Sequence, residues 1–197
     1  MDKVIVLIEG YAGAGRNGSY IASPSTVLIE SNKKNILVDP GAVSKKRLFA
    51  ALRKNKVSSA EIDFIFLSHY HPDHFLNIKY FVGLDVYDAG TLWKGDREYF
   101  YKGKVPGTEV RILATPGHSS EHCSLLVNTD KGVVCVAADV FWWEDGKQKS
   151  DKAEDLLKLK DPFATDEKAL LKSRKLLLKE ADWIIPGHGK MFKNPMK

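Results

Sequence analysis

Apolar residues in this chain come in short runs separated by turn residues and polar stretches, the pattern of many buried strands with a few amphipathic helices. Val4–Glu9 predicts a first strand, and the glycine-rich Gly10–Gly18 after it reads as a loop. Thr26–Glu30 and Asn35–Val38 predict two more strands, the second stopped by Asp39-Pro40-Gly41, and Lys45–Asn55 predicts a helix. Asp63-Phe64-Ile65-Phe66-Leu67 is a continuous apolar run bounded by polar residues, as in a strand buried on both faces; His74–Phe81 then reads as a short helix. Strand patterns return at Glu109–Ala114, Cys123–Asn128 and Val133–Ala137, with a tight Thr129-Asp130-Lys131-Gly132 turn between the last two. Helices are predicted at Lys152–Leu159 and Asp166–Ala181, the second with Thr165 as N-cap and acidic residues in its first turn. Trp183-Ile184-Ile185 predicts a last strand, closed by Pro186-Gly187-His188-Gly189. No repeat, low-complexity tract or linker interrupts the pattern, so residues 1–197 read as one domain of layered α/β class.

Composition narrows the class without naming a function. A chain of 197 residues can bury one substantial core, and its 44% hydrophobic and 28% charged content fit a globular protein. No apolar run approaches the ~20 residues that span a bilayer. The apolar part of Met1–Leu7 is too short for a signal peptide, so the expected location is cytoplasmic, with no membrane partner. Cys123 and Cys135 lie in apolar runs without C-x-x-C spacing and are expected to be buried and reduced. The formal charge of +5 suits an anionic substrate or nucleic acid without selecting either.

Candidate chemistry concentrates in His69-Tyr70-His71-Pro72-Asp73-His74. Three imidazoles and a carboxylate this close become an asset when a divalent cation takes their lone pairs. A repeated grammar extends the cluster, in which a strand stops abruptly at a donor: Leu67 before His69, Ala114 before Thr115-Pro116-Gly117-His118, Ala137 before Asp139, and Ile185 before His188. A rigid sheet would hold such side chains along a common edge. Imidazole and carboxylate without thiolate suit zinc, manganese or iron(II). His69, His71, Asp73, His74, His118, Asp139 and His188 are too many donors for one tetrahedral ion. They suit two ions ~3.5–4 Å apart that share a carboxylate and a water.

Other motifs carry weaker expectations. His122 falls outside the grammar and reads as support for a ligand rather than as a ligand. Gly13-Ala14-Gly15-Arg16-Asn17-Gly18 spells G-x-G-x-x-G, but Pro24 and a β-branched pattern follow where a dinucleotide site needs a helix, so nucleotide binding is rejected. That segment reads instead as a hairpin loop beside the site, with Tyr11 or Arg16 reaching substrate. Trp142 and Trp143 follow Asp139 closely enough that at least one is expected near the pocket rim. Lys168, Lys172, Arg174, Lys175 and Lys179 read as a solvated basic helix face.

H-x-H-x-D-H, then T-P-G-H, an aspartate after an apolar strand and a closing P-G-H-G resemble the metallo-β-lactamase superfamily over nearly the whole chain. The resemblance implies a four-layer αβ/βα sandwich with the metal site at one edge of two facing sheets. It implies that His69, His71 and His118 hold a first metal, that Asp73, His74 and His188 hold a second, and that Asp139 bridges them. Asp39, in the family's Asp-x-Gly position, would orient a ligand imidazole without binding metal. Histidines where flavo-diiron relatives carry a carboxylate imply hydrolysis rather than redox chemistry.

Leu7–Ala12, Ala138–Phe141, Asp161-Pro162 and Ser173-Arg174-Lys175 further resemble one branch of that family, which is associated with RNA endonuclease activity. The expectation is a hydrolase with two divalent ions, zinc before manganese or iron, and a hydroxide shared between them. Asp73 would orient the nucleophile and relay a proton. The substrate would be a small ester, thioester or lactone, with an RNA phosphodiester as the alternative. A non-catalytic metal-binding protein of the same fold is a third reading, and a homodimer is left open.

Overall fold

The computed structural model describes residues 1–197. Its strands are β1 (Lys3–Ile8), β2 (Tyr11–Ala14), β3 (Tyr20–Ser23), β4 (Thr26–Ser31), β5 (Lys34–Val38), β6 (Phe64–Phe66) and β7 (Asp85–Tyr87). They continue with β8 (Thr91–Lys94), β9 (Arg97–Phe100), β10 (Arg111–Ala114), β11 (Cys123–Thr129), β12 (Gly132–Trp142), β13 (Trp183–His188) and β14 (Phe192–Lys193). The helices are α1 (Lys45–Lys54), α2 (Pro72–Phe75), α3 (Ala153–Leu157) and α4 (Glu167–Glu180).

Seven strands form one sheet in the order β1-β4-β5-β6-β7-β8-β9, and five form a second in the order β10-β11-β12-β13-β14. Strand periodicity decides the layers, because alternate side chains point to opposite faces. Val27, Ile29, Ile36, Val38, Phe64 and Phe66 meet Leu125, Val127, Val134 and Val136 in a core between the sheets. The intervening Leu28, Leu37 and Ile65 face outward and pack with Leu48 and Leu52 of α1. On the other sheet Leu126 and Cys135 face outward against Leu156 of α3 and Leu170, Leu177 and Leu178 of α4. Helix, sheet, sheet and helix thus stack as the four-layer αβ/βα sandwich.

Parallel pairing selects the functional edge. β5, β6 and β7 are parallel neighbours in one sheet, and β12 and β13 are in the other. The carboxyl ends of parallel strands present loops at one rim, where ligands of open α/β sheets gather. Here those ends deliver Asp39, Ser68–His74, Asp139 and His188. Cys123 N–H donates to Ser68 O (3.0 Å) and Ser25 N–H to Gly187 O (2.6 Å), tying the sheets together beside that rim.

Several elements differ from the sequence expectation. Gly10–Gly18 is not all loop: Tyr11–Ala14 pairs with Tyr20–Ser23 in a two-stranded flap. The helix expected at His74–Phe81 is a single α turn, Pro72–Phe75, followed by 3₁₀ backbone at Leu76–Tyr80. Asp166, not Thr165, caps α4, its carboxylate accepting from Lys168 N–H and Ala169 N–H (2.9 Å each). β12 continues through Asp139 to Trp142 instead of ending at Ala137. β7, β8 and β9 had no distinct signal, because short strands with mostly half-exposed or exposed residues lack an apolar stripe. Cys123 and Cys135 are buried free thiols.

Candidate metal centre

The seven donors named from sequence converge. His69, His71, His118 and Asp139 form one group, and Asp73, His74 and His188 a second, with the donor atoms of each group within 4.8 Å of one another. Asp139 lies between the two groups. Its Oδ2 is 3.3 Å from His118 Nε2 and 3.6 Å from His188 Nε2, and its Oδ1 is 3.4 Å from His74 Nε2.

Four imidazoles are aimed by their outer nitrogens. His74 Nδ1–H donates to Asp39 Oδ2 (2.9 Å), His118 Nδ1–H to Asp161 Oδ2 (2.7 Å), and His188 Nδ1–H to Tyr11 O (2.9 Å). Ser68 Oγ–H donates to Asp39 Oδ2 (2.6 Å), so its oxygen accepts from His69 Nδ1–H at 3.0 Å. Each ring therefore turns its Nε2 inward, the arrangement that orients imidazoles toward a metal. His71 differs, presenting Nδ1 toward His118 Nε2 at 2.9 Å. His122 has both nitrogens engaged: Nε2 accepts from Asp139 N–H (3.2 Å), and Nδ1–H donates to Thr115 Oγ1 (2.9 Å). It supports the Asp139 backbone and has no lone pair left for an ion.

Backbone constraint helps to place the carboxylates. Asp39 and Ala138 both hold left-handed backbone, at φ 44° each, a conformation that costs a non-glycine residue about 1–2 kcal/mol. The bend at Asp39 returns its carboxylate to Ser68, whose N–H it accepts at 2.9 Å. The bend at Ala138 swings Asp139 out of the regular β12 register with β13.

Ser68 and Asp161 were not legible as parts of the site. Ser68 adjoins the histidine cluster but has no motif of its own. Asp161 meets His118 across 43 positions, a contact that no spacing announces.

Comparison with known proteins agrees with this geometry. The sequence pattern of the metallo-beta-lactamase superfamily matches residues 22–109. Metallo-beta-lactamase domain-containing protein 1 of Xenopus laevis is 31% identical over 97% of this chain and 81% of its own length. The chain belongs to the metallo-β-lactamase superfamily. A Thermotoga maritima protein described as a metallo-beta-lactamase superposes with a TM-score of 0.71 at 17% identity, covering 98% of this chain and 99% of its own. A quorum-quenching N-acyl homoserine lactone lactonase does so with a TM-score of 0.63 at 20% identity, covering 95% and 91%.

As in this superfamily, the residues present fit divalent metal ions. His69 Nε2, His74 Nε2 and Asp139 Oδ1 are buried without a hydrogen-bond partner. Leaving such atoms unsatisfied costs about 1–3 kcal/mol each, and a shared cation removes that penalty. The carboxylates favour a cation as well. Burial pushes Asp139 upward, but His188 and His74 outweigh it and hold the acid well below the usual carboxylate range. Burial also pushes His188 down, yet Asp139 and Asp73 raise it to about 9. Metal-free, the site keeps a proton on His188 at neutral pH, which an incoming ion displaces.

A cavity of about 250 Å³ opens onto both groups. Its polar wall is His71, Asp73, His118, Asp139 and His188; its apolar wall is Ala12, Tyr20, Ala22, Pro72, Trp142 and Phe163. Of the two tryptophans, Trp142 lines the cavity, whereas Trp143 packs on Phe192 in the core. Tyr11 and Arg16, expected at the substrate, do not line it. Tyr11 stacks under Arg47 and contributes its carbonyl to His188, and Arg16 is exposed in the turn of the flap. Tyr20, from the facing strand of that flap, takes the position instead.

Proposed function

We propose that this superfamily member is a hydrolase that uses two divalent ions, zinc foremost, on a small uncharged ester, thioester or lactone. The observation that carries this reading is the cavity: two donor groups, with Asp139 of the first lying between them, meet at one wall, and an aromatic, cation-free wall faces them. A volume of about 250 Å³ lies just below the ~300 Å³ at which ligand sites usually begin, which favours a small substrate. The lining holds no lysine or arginine, so on a phosphodiester the ions alone would have to meet the phosphate charge.

In this reading His69, His71 and His118 hold one ion, Asp73, His74 and His188 the other, and Asp139 serves both. The chemistry such ions supply is Lewis acidity, which makes a water more acidic and polarises a carbonyl. Asp73 lines the cavity with its side chain 26% exposed, and His188 Nε2 lies 3.4 Å from its Oδ2. Burial pushes its carboxyl up, but the hydrogen bond from His188 and the charge of His74 bring it below the usual range. It is therefore an ionised acceptor, placed to orient a water and take its proton. Trp142 and Phe163, with ring centroids 5.6 Å apart, hold the apolar part of the substrate and exclude bulk water.

One panel tests this. Zinc-loaded protein is assayed on an ester, a thioester, a lactone, a β-lactam and an RNA phosphodiester, with metal content measured alongside. The expected result is turnover of acyl substrates that stops on chelation and returns with zinc, and a loss of about 10²–10⁴-fold in Asp73→Asn. Cleavage of the phosphodiester alone would replace this reading with an RNA endonuclease. Metal uptake with no turnover would leave a binding protein.

A further inference from the structure

We propose that Arg174 is a positioning residue for the His69, His71, His118 and Asp139 donor group, acting through two backbone carbonyls. The inference rests on the two-ion reading above and concerns a residue outside both donor groups. Its charge made Arg174 look like part of a solvated basic face. In the structure it is 3% exposed, while Lys168, Lys172, Lys175 and Lys179 on the same helix face solvent.

What the guanidinium touches is specific. Nε–H donates to Val140 O at 3.0 Å, and Nη1–H donates to Leu159 O. Val140 immediately follows Asp139, and Leu159 lies two residues before Asp161, the carboxylate that holds His118 Nδ1. One planar fork thus joins the strand carrying Asp139 to the loop carrying the partner of His118. The residues served at the two ends, Asp139 and His118, belong to the same donor group.

The neighbouring contacts point the same way. Ser173 Oγ–H donates to Pro116 O (2.8 Å), and Thr165 N–H and Asp166 N–H donate to Gly117 O (2.8 and 2.9 Å). The middle of α4 and the turn before it therefore brace the Thr115–His118 turn, while Arg174 braces Asp139 and Asp161. No comparable contact from α4 reaches the carriers of Asp73, His74 or His188.

Stability alone is a poor account of this residue. No carboxylate lies within ion-pair distance of Arg174, and Nη2 has no hydrogen-bond partner. The guanidinium has only the Val140 and Leu159 carbonyls and the Phe141 ring, 6.0 Å from its central carbon, to offset the cost of burying its charge. What only the guanidinium provides is two donors in fixed relation, spanning two carbonyls that would otherwise be left to separate partners.

The test is equilibrium cobalt(II) titration of the metal-free full chain against a chromophoric chelator. His118→Ala and His188→Ala serve as references for loss of either donor group. Wild type is expected to take up two equivalents. Arg174→Met should weaken, by about 10–100-fold, the step that His118→Ala abolishes, and weaken the His188-dependent step, which it reaches only through Asp139, by a smaller factor. Arg174→Lys keeps the charge but not the fork, and should weaken the same step by a smaller factor. It carries the test if Arg174→Met does not fold. Lys175→Met, an exposed neighbour, should titrate as wild type. Unchanged affinity at both steps in a folded Arg174 variant, or equal weakening of both, overturns the proposal. Wild-type uptake of fewer than two equivalents sinks the two-ion reading itself, and this inference with it.

Discussion

At the scale of single residues, the centre is governed by what leaves room for a carboxylate and what holds its backbone. Gly187 illustrates the first: a Cβ there would lie 1.7 Å from Asp139 Oδ1 and 3.0 Å from Ala138 C. The smallest side chain must therefore displace the residue that stands between both donor groups. Gly187→Ala is expected to fold and to lose about 100-fold in kcat/KM, because an ångström of misplacement at a reacting centre costs that much. Metal content measured on the same sample should fall with it; full metal occupancy and full activity would show that the Cβ is accommodated without displacing Asp139. His122 illustrates the second. Burial holds its imidazole down to about 3, so the folded chain keeps it neutral and able to accept Asp139 N–H. The folded pKa lies below the ordinary 6.5, so the stability linked to His122 is complete above pH 6.5. It is lost as the pH falls from there toward 3, because the unfolded chain takes up the proton first. His122→Gln retains an acceptor but not the titration. Urea denaturation of the metal-free proteins should therefore show a shallower acid decline in the variant, and parallel declines would refute the assignment.

At the scale of elements, α4 shows both what a sequence reveals and what it conceals. Its apolar stripe of Leu170, Leu177, Leu178 and Ala181 is plain from spacing and packs as the outer layer of the five-stranded sheet. Ser173 and Arg174 lie on that same stripe, but their polarity disguised the fact, and only three-dimensional packing reveals which carbonyls they serve. The cap is Asp166 and not Thr165, because Asp166 is the last extended residue (φ −148°, ψ 99°) and its O accepts the first helical bond, from Leu170 N–H (2.9 Å). Asp166→Ala should accordingly lower stability by about 1 kcal/mol, read as a shift of the urea midpoint, and Thr165→Ala by less. The reverse order would restore the cap expected from sequence. The same contrast runs through the sheets. β4, β5 and β11 were legible because each alternates between two buried layers, whereas exposed β9 offers no stripe to read. Donors were legible because His69–His74 are neighbours in sequence and the others end apolar runs. Asp161, Ser68 and the cavity wall of Tyr20 and Phe163 were not, since their roles arise from contacts between distant segments.

At the scale of the whole molecule, the two donor groups are not divided between the two sheets; each group draws on both. His69, His71, Asp73 and His74 follow β6 of the seven-stranded sheet, and His118, Asp139 and His188 come from β10, β12 and β13 of the other. Each ion would therefore cross-link the sandwich at its functional rim, where buried donor atoms otherwise lack partners. The opposite end, at the Thr129–Gly132 turn of β11 and β12, is closed by its own hairpin and by Asp182, whose carboxylate accepts from Val133 N–H (2.7 Å). Removal of metal should then destabilise the molecule unevenly. A ligand at a hundredfold excess over its Kd stabilises by about 2.7 kcal/mol per site, which for a chain of this size corresponds to roughly 5–10 °C in Tm. Chelation is expected to lower Tm by at least that much. Hydrogen exchange should quicken at residues 67–76, 114–123 and 186–190, and stay unchanged at residues 127–134. Recovery of protection on adding back zinc would tie the effect to the ions. A uniform rise in exchange along both sheets would instead mean that the rim is no weaker than the rest of the sandwich, and that the ions are not what joins its halves.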